Sequence, residues 1–133
     1  MTGPYWTRLA AMLLLLAAAW PERAPAQGAA AYEFRGSTRG RQGYVDHIWK
    51  LQADGRITGL STERRGGGLG GYSIDLSDTG RWQIRQNQIC IEWAGAFATL
   101  SGCYRVERQQ GNQVGLSGPG AFSGVFDPMP PLR

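Results

Sequence analysis

The stretch DTGRWQIRQNQICIEW, residues 78–93, decides the fold. Apolar and polar residues alternate on both sides of a polar tip, the period-two pattern of half-buried strands joined by a tight turn. With Gln86-Asn87 as the loop, Arg85 faces Gln88, Ile84 faces Ile89 and Trp82 faces Ile91. This register places Trp82, Ile84, Ile89, Ile91 and Trp93 on one face, toward a core, as a hairpin with one buried side requires. Asp78 and Gly80 are expected to shape the turn that leads in.

Cys90 points to the other face of this hairpin. If the strand folds back through AGAFAT onto SGCYRVE, a register that sets Cys90 opposite Cys103 also sets Glu92 beside Ser101. Two cysteines without a third competitor are expected to form a structural cross-strand disulfide in an oxidising compartment. A redox pair would want Cys-x-x-Cys at a helix start. Structural zinc would want four ligands, whereas this chain offers two cysteines and one histidine. Neither a metal nor a cofactor is expected.

Working outward, the same alternation recurs. YVDHIWKL sets Val45, His47, Trp49 and Leu51 on one face, and Asp54-Gly55 supplies a two-residue hairpin turn that would bring Trp49 opposite Leu60. YSIDL reads as another strand, closed by a turn at SDTG. In RVERQQGNQVGL a turn on Gly111-Asn112 alone would oppose Leu116 to Glu107. A three-residue loop, Gln110-Gly111-Asn112, opposes Leu116 to Val106 and keeps the apolar face together, so it is preferred. No proline lies between residues 26 and 118, so ladder pairing is unobstructed there.

The fold class expected is all-β: one antiparallel meander of about seven or eight strands, closed or half-closed into a barrel of lipocalin-like shape to manage its edges. Residues 27–43 would hold the first strand and residues 44–118 the body of the meander. Residues 119–133 read as a proline-rich, loop-like tail with Phe122 and Phe126 as plugs.

The N-terminus sets the compartment. Arg8 is followed by the apolar run LAAMLLLLAAAW and then by Ala24-Pro25-Ala26, the order of a secretory signal with a small-residue cleavage site. Residues 1–26 are therefore read as a signal peptide, with Ala31–Tyr32 as the fallback cleavage site. The apolar run is shorter than the roughly 20 residues that span a bilayer, so no stable membrane span is expected after cleavage. The product is periplasmic or secreted, and one domain in size. The chain carries a net charge of +4, but acidic residues are interspersed with Arg35, Arg39, Arg41, Arg64 and Arg65. No contiguous phosphate-binding face is indicated, and nucleic acid is not an expected partner.

Asp78, Gly80 and Trp82, then Cys90 and Trp93, then Cys103, Tyr104 and Val106 follow a pattern: Asp-x-Gly-x-Trp, a short hairpin, Cys-x-x-Trp, and Cys-Tyr/Phe-x-Val. The pattern resembles a family of small exported Gram-negative bacterial domains of unknown function, over about residues 45–116. The resemblance implies an exported β-domain and carries over no catalytic residue. The glycine-rich GGGLGG is not part of it.

Chemistry-bearing residues are sparse. GGGLGG holds a literal G-x-G-x-x-G at Gly66, Gly68 and Gly71, but a strand follows where a phosphate-binding helix would be needed, so a flexible hairpin loop is expected. His47 is the only histidine, and its neighbour Asp46 points to the opposite face of a strand, so the two form no general-base pair. No serine among Ser73, Ser77 and Ser101 is singled out as a nucleophile, and the carboxylates fall in separate segments. Two non-enzymatic functions remain. One is a binding module of the cell envelope for a small ligand or peptide, with Tyr44, His47 and Trp49 near the site beside the loop at 64–71. The other is an enzyme inhibitor or envelope protein-interaction module. A barrel of eight short strands is filled mostly by side chains, which argues against a large cavity.

Overall fold

The computed structural model describes residues 30–132; the expected leader at 1–26 and its preferred cleavage site lie outside the described residues. Eight strands follow in chain order: β1 (Tyr32–Gly40), β2 (Gly43–Leu51), β3 (Arg56–Arg65), β4 (Tyr72–Arg85), β5 (Gln88–Trp93), β6 (Gly102–Gln110), β7 (Gln113–Ser117) and β8 (Ala121–Asp127). Each pairs antiparallel with the next, and β8 returns to β1, so the sheet closes into a barrel. Closure leaves no edge around the central belt, which is how an all-antiparallel sheet removes its sticky margins.

The β4–β5 hairpin has the register expected from sequence, with Trp82 opposite Ile91 and Ile84 opposite Ile89. Gln86 and Asn87 both take positive φ, 48° and 66°, the geometry of a type I′ turn whose twist matches the strands it joins. Cys90 lies opposite Cys103 and is bonded to it, across the β5–β6 pair.

Other expectations are corrected. In the β2–β3 hairpin Trp49 opposes Gly59 and Leu51 opposes Ile57, one residue away from the expected register. Gln52 N donates to Arg56 O at 2.8 Å and Gly55 N to Gln52 O at 3.1 Å, so three residues, not two, form the loop. Gly55 supplies the positive φ of 91° that a turn ending in a glycine bulge needs. In the β6–β7 hairpin Leu116 does oppose Val106, but the turn is Gly111-Asn112, with Gln110 paired to Gln113 and a bulge between Arg108 and Gln110 restoring the register. SDTG is not a turn. It lies inside the continuous 14-residue β4, which pairs with β3 and then passes to β5. The tail contains a strand: β8 aligns Phe126 with Phe34 and Phe122 with Leu116.

Alternation along these strands sends one side-chain set inward. Phe34, Trp49, Leu51, Ile57, Ile89, Ile91, Trp93, Tyr104, Val114, Leu116, Phe122 and Phe126 are buried together, with Phe97 entering from the β5–β6 connection. Aromatic rings dominate. Trp49 contacts Phe34 at 5.1 Å, Phe122 at 4.8 Å and Trp93 at 5.8 Å between ring centroids, inside the range where tilted and edge-on pairs are favourable. Gly59 makes room for them. A Cβ there would lie 2.6 Å from the Trp93 ring and 2.8 Å from Phe97. Trp82 is half-buried at the margin of the core, and Ile84 is half-buried beyond it, near the hairpin tip.

Candidate functional site

The sequence-proposed trio divides between two faces. His47 and Trp49 point into the barrel, at 4% and 1% exposure, whereas Tyr44 lies on the outer face at 68%. The parity of the strand requires it: Tyr44 is an odd number of residues from both. The three therefore do not make one site.

His47 sits edge-on to Trp49, Phe97 and Phe122, with ring centroids 5.1 to 6.0 Å away. Burial lowers its pKa to about 4, opposed by the Asp46 charge on the other face of β2, so the imidazole is neutral at physiological pH. Ser61, also buried, is its neighbour across the β2–β3 pair, yet the Nδ1 atom of His47 has no hydrogen-bond partner. Trp49 Nε1 and Trp93 Nε1 are likewise buried and unpartnered. A base without an orienting acid or an aligned hydroxyl is not a nucleophile-activating arrangement. The layer is a polar inclusion in an aromatic core.

Tyr104 is satisfied. Its hydroxyl donates to Leu100 O at 2.6 Å, and burial pushes its pKa up to about 12. This bond ties the β5–β6 connection, with its 3-10 turn Ala98–Leu100, over one end of the barrel. Asp78 ties the same connection from the other side. Its Oδ2 accepts the N–H groups of Gly95 and Phe97, both at 2.9 Å, and its Oδ1 accepts that of Thr79 at 2.7 Å. Desolvation raises the Asp78 pKa, but the backbone N–H groups of Phe97, Gly95 and Thr79 outweigh it and hold the carboxyl below its ordinary value. Contrary to the expected role at a turn, Asp78 lies within β4 and anchors the β5–β6 connection.

Two open grooves of about 710 and 720 Å³ run along the outside of β3, β4 and β5, sharing Arg56, Arg81 and Glu92. Arg56 pairs with Asp54 at 3.6 Å. Elsewhere Arg65 pairs with Glu63, and Arg35 with Glu33, so the basic residues that raise the isoelectric point are partly answered by acids two positions away. GGGLGG forms the β3–β4 connection with a short 3-10 turn, Gly68–Gly70, and no helix follows it.

The end of the barrel that carries this connection is uneven. β4 pairs with β3 from Tyr72 to Arg81 but with β5 only from Gly80 to Arg85. Its first half therefore rises above the closed belt with one side unpaired. Leu76 is on the inner face, opposite buried Ser61, yet is 47% exposed, and Tyr72 is 59% exposed.

Among the described residues no group of three or more histidines, cysteines or carboxylates is placed to share a metal ion, and no helix is long and apolar enough to cross a membrane. No family profile, no curated protein and no solved structure matches the chain.

Proposed function

We propose that this protein is an exported, non-enzymatic binding module of the bacterial cell envelope, and that it takes a peptide or protein segment on its surface. The observation that carries the reading is the filled interior. The side chains of a ligand-holding barrel would line a void, but here Trp49, Phe34, Phe122 and Trp93 meet at the centre, and His47 and Trp49 are closed off from solvent. Binding then falls to the outer surface and to the uneven end of the barrel. Export is supported by the leader pattern at residues 1–26 and by the Cys90–Cys103 disulfide, a bond that persists in oxidising compartments.

Native mass spectrometry of the protein purified from the periplasm of a Gram-negative host tests this. The expected result is the processed chain beside a species in complex with a peptide or protein. A stoichiometric small molecule, retained in the folded protein and released on unfolding, would overturn the reading.

A further inference from the structure

The first half of β4 offers a built docking edge. In a strand the N–H and C=O of one residue point to the same side, and successive residues alternate. Trp82 N donates to Gly55 O, toward β3, whereas Thr79 O accepts from Ala94 N, on the β5 side. Odd-numbered residues of β4 therefore turn their backbone groups away from β3. For Ser73, Asp75 and Ser77 that side has no strand opposite, because β5 begins to pair only at Gly80. All three are exposed. Free backbone groups in a row are a template for another strand.

The side chains specify what would fit. On the inner face Ile74 is half-buried and Leu76 half-exposed, so an added strand gains by placing an apolar side chain beside each. On the outer face Asp75 is flanked by Ser73 and Ser77 and makes no ion pair among the described residues. Opposite charges across a strand pair stabilise it and like charges oppose it, so an Asp75-on-Asp75 pairing of two copies is disfavoured.

We propose that Ser73–Ser77 of β4 is a strand-addition site for an extended partner segment of pattern apolar–basic–apolar, with the basic side chain against Asp75. The inference rests on the surface-binding reading above. Main-chain hydrogen bonds would supply affinity, and the alternate side chains selectivity.

The test uses the folded protein, 15N-labelled, and the blocked peptide Thr-Val-Lys-Val-Thr, whose symmetric pattern suits either strand direction. The amide signals of Ser73, Asp75 and Ser77 should shift and gain protection from exchange. The glutamate analogue Thr-Val-Glu-Val-Thr should bind about three- to fivefold more weakly, the range of a cross-strand charge pair. Asp75→Lys should invert that preference while its spectrum shows the barrel intact. Three results would overturn the proposal: no selective shifts at millimolar peptide, shifts confined to another surface, or a protein that sediments as a dimer with these amides already protected. A periplasmic partner captured with its footprint away from residues 73–77 would defeat this inference and leave the surface-binding reading standing. A stoichiometric small molecule in its place would defeat that reading itself.

Discussion

The carboxylate of Asp78 accepts the backbone N–H of Phe97 at 2.9 Å, joining the middle of β4 to the connection that covers the barrel. The same oxygen holds Gly95, so the bond sets the path by which Phe97 enters the core. Asp78→Ala should cost about 2–4 kcal/mol, because hydrogen bonds to a charged group are lost together and the N–H groups of Gly95, Phe97 and Thr79 are left without their acceptor. Denaturant melts would measure it. Amide exchange at Gly95 and Phe97 should accelerate more than at the β1–β2 pair, and uniform acceleration would contradict a local anchor.

Acid should weaken the fold through His47. Its folded pKa is lowered to about 4 from 6.5, so the unfolded chain takes up the proton more readily than the native one. The neutral imidazole's contribution is whole above pH 6.5 and is lost as pH falls from there toward 4, amounting to as much as about 3 kcal/mol. Asp78, held below the ordinary 3.8, loses its contribution only in more acid solution. Chemical melts between pH 7 and 4 should show a stability loss that His47→Phe abolishes. An unchanged slope in that variant would place the titration elsewhere.

The tryptophans should rank by burial. Trp49 is fully enclosed and Trp49→Ala should cost about 3–5 kcal/mol. Trp82 is half-buried, edge-on to Tyr32 at 5.8 Å, with its indole N–H donating to Gln52 O at 2.8 Å. Trp82→Ala should cost less, about 2–3 kcal/mol. Gln83→Ala and Arg85→Ala, on the outer face, should stay within about 0.5 kcal/mol. Unfolding midpoints in urea decide the order.

Replacing both cysteines by alanine should lower stability by about 2–4 kcal/mol, since the bond closes a 13-residue separation. The far-UV spectrum should persist, because the β5–β6 ladder carries its own backbone pairing. Loss of that spectrum at neutral pH would mean the staple is required for folding itself.

What was legible in the sequence followed from the two-residue period and from turn chemistry. The β4–β5 hairpin could be read residue by residue because Trp82, Ile84, Ile89 and Ile91 fit one register and contradict its neighbours. The disulfide followed from the same register. Asp54-Gly55 misled because the dipeptide suits both a two-residue turn and the end of a three-residue bulged one, and only the ladder distinguishes them. β8 was hidden by Gly124, by Gly118 and Gly120 just before it and by the nearby prolines, although Phe122, Gly124 and Phe126 keep strand parity. Gly124 is small because Arg35 O of β1 would lie 2.2 Å from a Cβ there, a contact no local pattern announces. The unpaired half of β4 was invisible for a similar reason. How far each neighbour runs along a strand depends on the stagger of the whole barrel.

The Phe34–Phe126 contact, 5.0 Å between rings, joins the first and last strands. Hairpins such as β4–β5 can assemble from near neighbours, but this seam must close a loop of nearly the whole domain, and non-local pairing of that kind is what slows β-rich chains. A nascent chain that has not yet delivered Phe122 and Phe126 is an open sheet with two raw margins and an uncovered Phe34. Its safe passage to the native state then depends on the docking of β8 against β1.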